Sequence, residues 1–151
     1  MRIGCDVLVD FDGTIASLDT TDALLERFAD PAWLDIEAAW KAGRIGSREC
    51  MVRQVDLVRA TPDQLDAFVD SLAIDPGFAE FSAFCAGQGF GVSVVSDGLD
   101  RTVGAVLKRH GLALPYFANR LEWQGGDRWR LTFPHARGDC RALSGNCKCQ
   151  F

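Results

Sequence analysis

Two short apolar runs, Val7-Leu8-Val9 and Gly91-Val92-Ser93-Val94-Val95-Ser96, are separated by residues 10–90, whose pattern is helical. Val- and Leu-rich runs bounded by Gly-containing turns read as buried parallel strands. Strands joined through helices imply a parallel sheet with right-handed crossovers. The chain is therefore expected to form an open α/β sheet. In such sheets the loops at the carboxyl ends of the strands form the ligand crevice. At 151 residues there is room for one domain with an inserted subdomain.

The intervening segment divides at its Pro and Gly residues. Residues 20–30 are predicted helical, with Leu24, Leu25 and Phe28 apolar and Pro31 as the stop. Residues 32–42 form a second helix containing Trp33, Ile36 and Trp40, stopped by Gly43. Ser47 is the expected N-cap of a helix over 48–60 that carries Met51, Val55 and Val58 on one stripe. Thr61-Pro62-Asp63-Gln64 reads as a capping box with Pro in the first turn, opening a helix over 62–72. Asp75-Pro76 opens another, with Phe78, Phe81 and Phe84 as a core stripe and Gly87 as its stop. A helix over 99–110 follows the second strand. Leu121–Trp123 and Trp129–Phe133 alternate around Gly125-Gly126-Asp127, which predicts a β-hairpin. The tail, 135–151, shows no period. Residues 19–72 interrupt the first crossover and are expected to cap the strand ends, leaving 1–18 and 73–151 as the α/β core.

Composition narrows the partners. Hydrophobic residues at 48% and charged residues at 25% can build a core. A net charge of −5 without a basic run argues against nucleic acid. No apolar stretch approaches the roughly 20 residues of a membrane span. The N-terminus places acids within its apolar run, unlike a signal peptide, so the expected location is cytoplasmic, with reduced thiols. Among the six cysteines, Cys5, Cys50 and Cys85 read as small core residues. Cys140, Cys147 and Cys149 crowd the tail without a CxxC pair or a following His, so a zinc or thiol site there is one reading among others.

The candidate chemistry starts at Asp10-Phe11-Asp12-Gly13-Thr14, directly after the first strand. Gly13 permits a tight turn that can curl two carboxylates round one point. Converging carboxylates favour a hard cation such as Mg²⁺ between them. One could then attack phosphorus while the other handles a proton. The same residues also suit a solvated Asx turn. Ser96-Asp97-Gly98 ends the second strand before a helix, which makes either an anion site or an ordinary N-cap. Lys148 lies in Gly145-Asn146-Cys147-Lys148-Cys149, where it either screens a phosphate or is simply solvated.

Taken in order, these elements resemble the haloacid dehalogenase superfamily of phosphohydrolases, with DFDGT, VVSDG and Lys148 standing for its first three motifs. The helical insertion resembles the phosphoserine-phosphatase-like branch. GRIGSREC, VVSDG, PYFANRL and GNCKC resemble the methylthioribose-salvage phosphatases, which act on 2-hydroxy-3-keto-5-methylthiopentenyl phosphate. The resemblance runs from Val7 to Lys148. It implies a Rossmann-like α/β core with a helical cap after the first strand. It implies Asp10 as nucleophile, Asp12 as proton donor and base, and Mg²⁺ held by the Asp10 carboxylate and Asp12. Thr14, Ser96, Asp97, Gly98 and Lys148 would surround the phosphoryl group. Asp19, Thr20, Arg44 and Arg48 would be the cap residues facing a small phosphorylated metabolite. Gln54 falls near the place of the cap arginine that phosphoserine enzymes use. The family continues past its lysine to a further acid-bearing loop that completes the Mg²⁺ shell, whereas Cys149, Gln150 and Phe151 end this sequence. The resemblance therefore implies an incomplete core, weak Mg²⁺ binding and an exposed sheet edge prone to dimerise. The alternative is a catalytically silent module that binds phosphate or a partner.

Overall fold

The computed structural model describes residues 4–151. Strand β1 (Asp6–Val9) leads into helices α1 (Thr20–Phe28), α2 (Trp33–Lys41), α3 (Ser47–Val55), α4 (Pro62–Asp70) and α5 (Phe78–Gln88). Then come β2 (Gly91–Leu99), α6 (Asp100–Arg109), β3 (Tyr116–Trp123), β4 (Trp129–Thr132) and a short 3₁₀ turn at Lys148–Gln150. The sheet order is β1-β2-β3-β4. β2 pairs in parallel with β1 and with β3, and β3 pairs antiparallel with β4. The sheet is therefore mixed rather than wholly parallel, within the expected α/β class. Residues 116–119, which carry no strong local strand signal, form the half of β3 that extends the parallel sheet.

Several elements differ in detail from the sequence reading, each for a local reason. Gly46, not Ser47, caps α3, and Ser47 is the first helical residue. That helix ends at Val55, because Leu57 and Val58 take tighter turn bonds to Gln54 and Val55. Helix α5 passes through Gly87 and stops at Gly89, whose φ of 75° gives the left-handed cap that a Gly accepts freely. On α5 only Phe78 of the expected aromatic stripe is buried, while Phe81 and Phe84 are 42% and 60% exposed. The 3.6-residue period explains this, since Cys85, seven residues on, shares the buried face with Phe78 and the other two rotate away. β1 is an edge strand, not a buried one: Leu8 is 49% exposed, and Cys5 just before it is exposed too. Cys50 and Cys85 are buried as expected.

The helices and the sheet share one apolar cluster. Leu24, Leu25, Leu65 and Phe68 belong to it together with Phe11, Val94, Leu99 and Trp129. Polar ties reinforce the join. The Trp129 indole N–H donates to the Ala60 carbonyl at 2.8 Å, and Arg101 pairs with Asp66 at 2.8 Å while stacking over Trp129. The Thr61–Gln64 capping box forms as predicted and fixes the start of α4. These ties join α4 and the turn after α3 to α6 and β4.

Candidate active site

Three loops build the site. The first leaves β1 at Asp10. Phe11 and Ile15 are fully buried and anchor it. Gly13, at φ 69°, turns the chain so that the Thr14 and Ala16 amides both reach the Phe11 carbonyl. With Phe11 driven into the core, Asp10 and Asp12 both face the cavity described below. The Asp10 Oδ1 accepts from the Phe11 amide at 2.8 Å. The Asp12 Oδ1 accepts from the Thr20 amide at 2.8 Å and from its hydroxyl at 2.5 Å. Thr20 is buried at the start of α1, so the first acidic loop is tied to the first helix of the block. Burial pushes the Asp12 carboxyl above the usual carboxylate range. The two bonds from Thr20 oppose that shift, and the nearby Asp19 and Asp10 add to it.

The second loop is the end of β2. Its register against β3 breaks between Val95 and Leu99, which frees Ser96-Asp97-Gly98 from regular pairing. Ser96 is fully buried and its Oγ accepts from the Gly98 amide at 2.9 Å. A Cβ on Gly98 would stand 2.6 Å from the Asp12 Oδ2 and 3.0 Å from the Ser96 Oγ. Only Gly lets the second loop approach the acidic pair this closely. Asp97 is a structural hub. Its Oδ1 accepts from the Asn119 side chain at 3.0 Å and the Asn146 amide at 2.8 Å, while Ser47 of α3 donates to its Oδ2 at 3.5 Å.

The third loop is the tail, and Asn146 pins it. The buried Asn146 side chain donates to the carbonyls of Ser96 and Phe117, both at 2.8 Å. The preceding Gly145 has no room for a side chain, since a Cβ would lie 2.6 Å from the Phe133 ring and 2.8 Å from the Asn119 Oδ1. These constraints bring Lys148 back to the first loop, where its Nζ lies 2.8 Å from the Asp10 Oδ1.

The three loops floor a cavity of about 300 Å³. Asp10, Asp12, Asp97, Gly98 and Lys148 line its base, with Asp19 beside them. Asp22, Glu37, Trp40, Met51 and Gln54 form the wall contributed by α1, α2 and α3. Gln54 is buried and donates to Glu37 at 2.9 Å. Asp22 is pushed up to about 6, mainly by burial and then by Asp19 and Glu37.

Other residues singled out from the sequence take different places. Thr20 stands behind Asp12 and holds it. Neither Thr14 nor Ser96 lines the cavity, and Arg44 does not either. Arg48 turns to the tail, where its side chain donates to the carbonyls of Leu143 and Arg137, each at 3.3 Å. Sequence reasoning assigned no role to Asn119 or Asn146, although both fall inside the PYFANRL and GNCKC stretches. Nothing local to Asp22 or Glu37 marks either as a cavity residue.

The donor set suits a hard cation. The Asp10 and Asp12 carboxylates converge on one cavity, and Asp12 is held in an environment that disfavours its charge unless a cation compensates. Among the described residues, no group of three or more His, Cys, Asp or Glu side chains is arranged to hold a metal. Water and substrate oxygens would therefore supply most of an octahedral shell.

This fold and site define a haloacid dehalogenase-like hydrolase, and the chain belongs to that family, whose model matches residues 7–148. It is 31% identical over 143 residues to the 2-hydroxy-3-keto-5-methylthiopentenyl-1-phosphate phosphatase of Brevibacillus brevis, covering 92% of this chain and 64% of that protein. The enzyme of the same name from Geobacillus kaustophilus is 33% identical over 144 residues, again covering 92% and 64%. The chain thus spans just under two thirds of the length of these relatives. A substrate-bound phosphoserine phosphatase matches with a TM-score of 0.69 at 22% identity, over 88% of this chain and 65% of that one, which shows a common fold.

Proposed function

We propose that the chain carries the catalytic half-site of a Mg²⁺-dependent phosphomonoesterase acting on a small phosphorylated metabolite. One observation carries the reading: the Lys148 ammonium lies 2.8 Å from the Asp10 carboxylate, in a cavity shared with Asp12. A lysine in that position holds a nucleophilic carboxylate in register and offsets the charge of an incoming phosphoryl group. Asp10 attacks phosphorus, the bond to the ester oxygen breaks, and an aspartyl-phosphate forms. Asp12 protonates the departing alcohol and later deprotonates the water that releases phosphate. Burial raises the affinity of Asp12 for its proton, which is the direction that suits the first of these roles. The Asp10 carboxylate and the Asp12 backbone carbonyl would hold Mg²⁺, which would neutralise charge on the phosphoryl oxygens.

The methylthiopentenyl phosphate for which the relatives are named is the first substrate to examine. The cavity wall fits a neutral organic group. Asp19, Asp22 and Glu37 face it, and Lys148 at the base is the one cation among its lining residues. The test is hydrolysis of p-nitrophenyl phosphate and of that enol phosphate with Mg²⁺, comparing this chain with Asp10→Asn. A rate that depends on both Asp10 and Mg²⁺ is expected. Equal background rates in both proteins would remove the enzyme reading, and inorganic phosphate binding retained alongside them would establish a silent binding module instead.

A further inference from the structure

The tail that supplies Lys148 also carries Cys140, Cys147 and Cys149, which take no part in the chemistry above. A second cavity of about 700 Å³ is lined by Arg137, Cys140, Cys147 and Cys149, and it shares Asp97 and Lys148 with the active-site cavity. All the cysteines are free. The tail between Cys140 and Cys147 is tightly folded. The Leu143 amide donates to the Cys140 carbonyl at 3.1 Å, and Leu143 itself adopts φ 49°, a left-handed conformation that a branched side chain rarely takes. Cys140 and Cys147 flank this turn, and both line the second cavity.

The two thiols are not equivalent. Cys140 is half-buried, whereas Cys147 is 5% exposed. Hydrogen bonding from the Ser144 backbone is the main influence that draws the Cys140 thiol below the ordinary range, and Cys147 adds to it. Burial pushes the Cys147 thiol up. An accessible thiolate beside a shielded thiol is the arrangement of an attacking and a resolving cysteine.

We propose that Cys140 and Cys147 form a dithiol site that small disulfides of the glutathione class oxidise, and that closing it weakens phosphate binding through Lys148. The Cys140 thiolate attacks one sulfur of the small disulfide. That S–S bond breaks, one thiolate leaves and takes up a proton, and a mixed disulfide remains on Cys140. Cys147 then loses its proton and attacks the Cys140 sulfur, expelling the second small thiol. The protein loses two electrons and two protons, and the small disulfide gains both. Closure requires the sulfurs to approach to about 2.05 Å. Asn146, pinned to Ser96 and Phe117, restrains Cys147 on one side, so the strain falls on the peptide that leads into Lys148. The 2.8 Å contact of Lys148 with Asp10 has little room to absorb it. The effect on phosphate rests on the phosphatase reading of Lys148, whereas the disulfide does not.

The whole chain is equilibrated across a series of oxidised-to-reduced glutathione ratios, alkylated, and mapped by mass spectrometry. A Cys140–Cys147 linked peptide, two hydrogens lighter than its parts, is expected. It should persist in Cys149→Ser and vanish in Cys140→Ser. Glutathione confined to Cys5 and Cys149, with no intramolecular link, would overturn the site. Inorganic phosphate is then titrated calorimetrically into the reduced and linked chains. At least tenfold weaker binding is expected after oxidation, with no such change in Cys140→Ser. Unchanged affinity in a chain shown to be linked would overturn the control of Lys148. Absence of phosphate binding by the reduced chain would overturn the phosphatase reading, and the peptide map would still decide the thiol site.

Discussion

Lys148 and Asp10 lie near opposite ends of the chain and meet at 2.8 Å, side chain to side chain. Asp10 lies just past β1, and Lys148 opens a single 3₁₀ turn. Asp10 is placed by the buried Phe11 beside it, and Lys148 by Asn146, whose side chain bonds to the backbones of β2 and β3. Both groups are about half exposed, so the pair contributes little to stability by itself. Its consequence is chemical. Replacing Lys148 with Met should leave the melting temperature nearly unchanged and lower kcat for p-nitrophenyl phosphate by about 10²–10³, the usual loss for a preorganised donor to a developing anion. Steady-state kinetics beside a thermal melt decide this, and wild-type turnover in the variant would remove Lys148 from the site.

Gly98 tests the approach of the second loop to the first. A Cβ there would lie 2.6 Å from the Asp12 Oδ2. Relief requires Asp12 to move off its bonds to Thr20 or the β2 end to retreat from the cavity. Gly98→Ala should therefore reduce turnover more than tenfold while costing about 1–2 kcal/mol of stability, within the range of overpacking substitutions. Chemical denaturation and turnover measured on one preparation separate the two effects. A variant with full activity would show that the loops are not held at this spacing.

The sequence revealed the parts that depend on local pattern. β1 and β2 follow from Val-rich runs, α4 from its capping box, and the acidic loop from the Gly that turns it. What it concealed depends on distant partners. Tyr116–Asn119 become strand because β2 offers an open edge, not through any alternation of their own. The family resemblance makes Arg48 a cap residue facing the substrate, but its long guanidinium finds the tail carbonyls at Arg137 and Leu143 instead. Asn119 and Asn146 carry no site signal of their own in the sequence, and the fold makes them the joints among Ser96, Asp97 and the tail. Leu8 looked like a core residue because strand propensity does not report whether a neighbour pairs with the strand's far side.

Asp22 links the cavity to pH. It faces Asp19, Glu26 and Glu37 with Lys41 as the opposing charge, and its carboxyl is pushed up from the ordinary range to about 6, mainly by burial. A carboxyl raised in the folded state binds its proton more tightly there than in the unfolded chain. Its contribution to stability is full below about 4 and is lost as pH rises through about 6. Asp22→Asn should flatten the stability profile between pH 4 and 7. At pH 7.5 it should stabilise the fold by about 1 kcal/mol, after discounting for the solvent that reaches this half-buried group. Asp12 is shifted in the same direction and keeps its own slope in the variant. Urea unfolding of both proteins across this range gives the answer, and parallel profiles would show that Asp22 titrates normally.

The edge of the sheet predicts self-association. β1 pairs with β2 on one side only, and among the described residues no strand covers the other. Leu8 is 49% exposed there, and Val7 and Val9 are only partly covered. An unpaired apolar edge offers backbone donors and acceptors to a second copy, so self-association through β1 is expected. Asp6 already charges the start of β1, and a charge at the centre of its apolar run should block pairing, because it would be buried against its own copy. Leu8 is half exposed already, so Leu8→Lys removes little packing from the folded monomer. Light scattering at rising concentration should show wild-type mass growing while Leu8→Lys remains monomeric. A monomeric wild-type chain across that range would show that the edge is closed to a second copy.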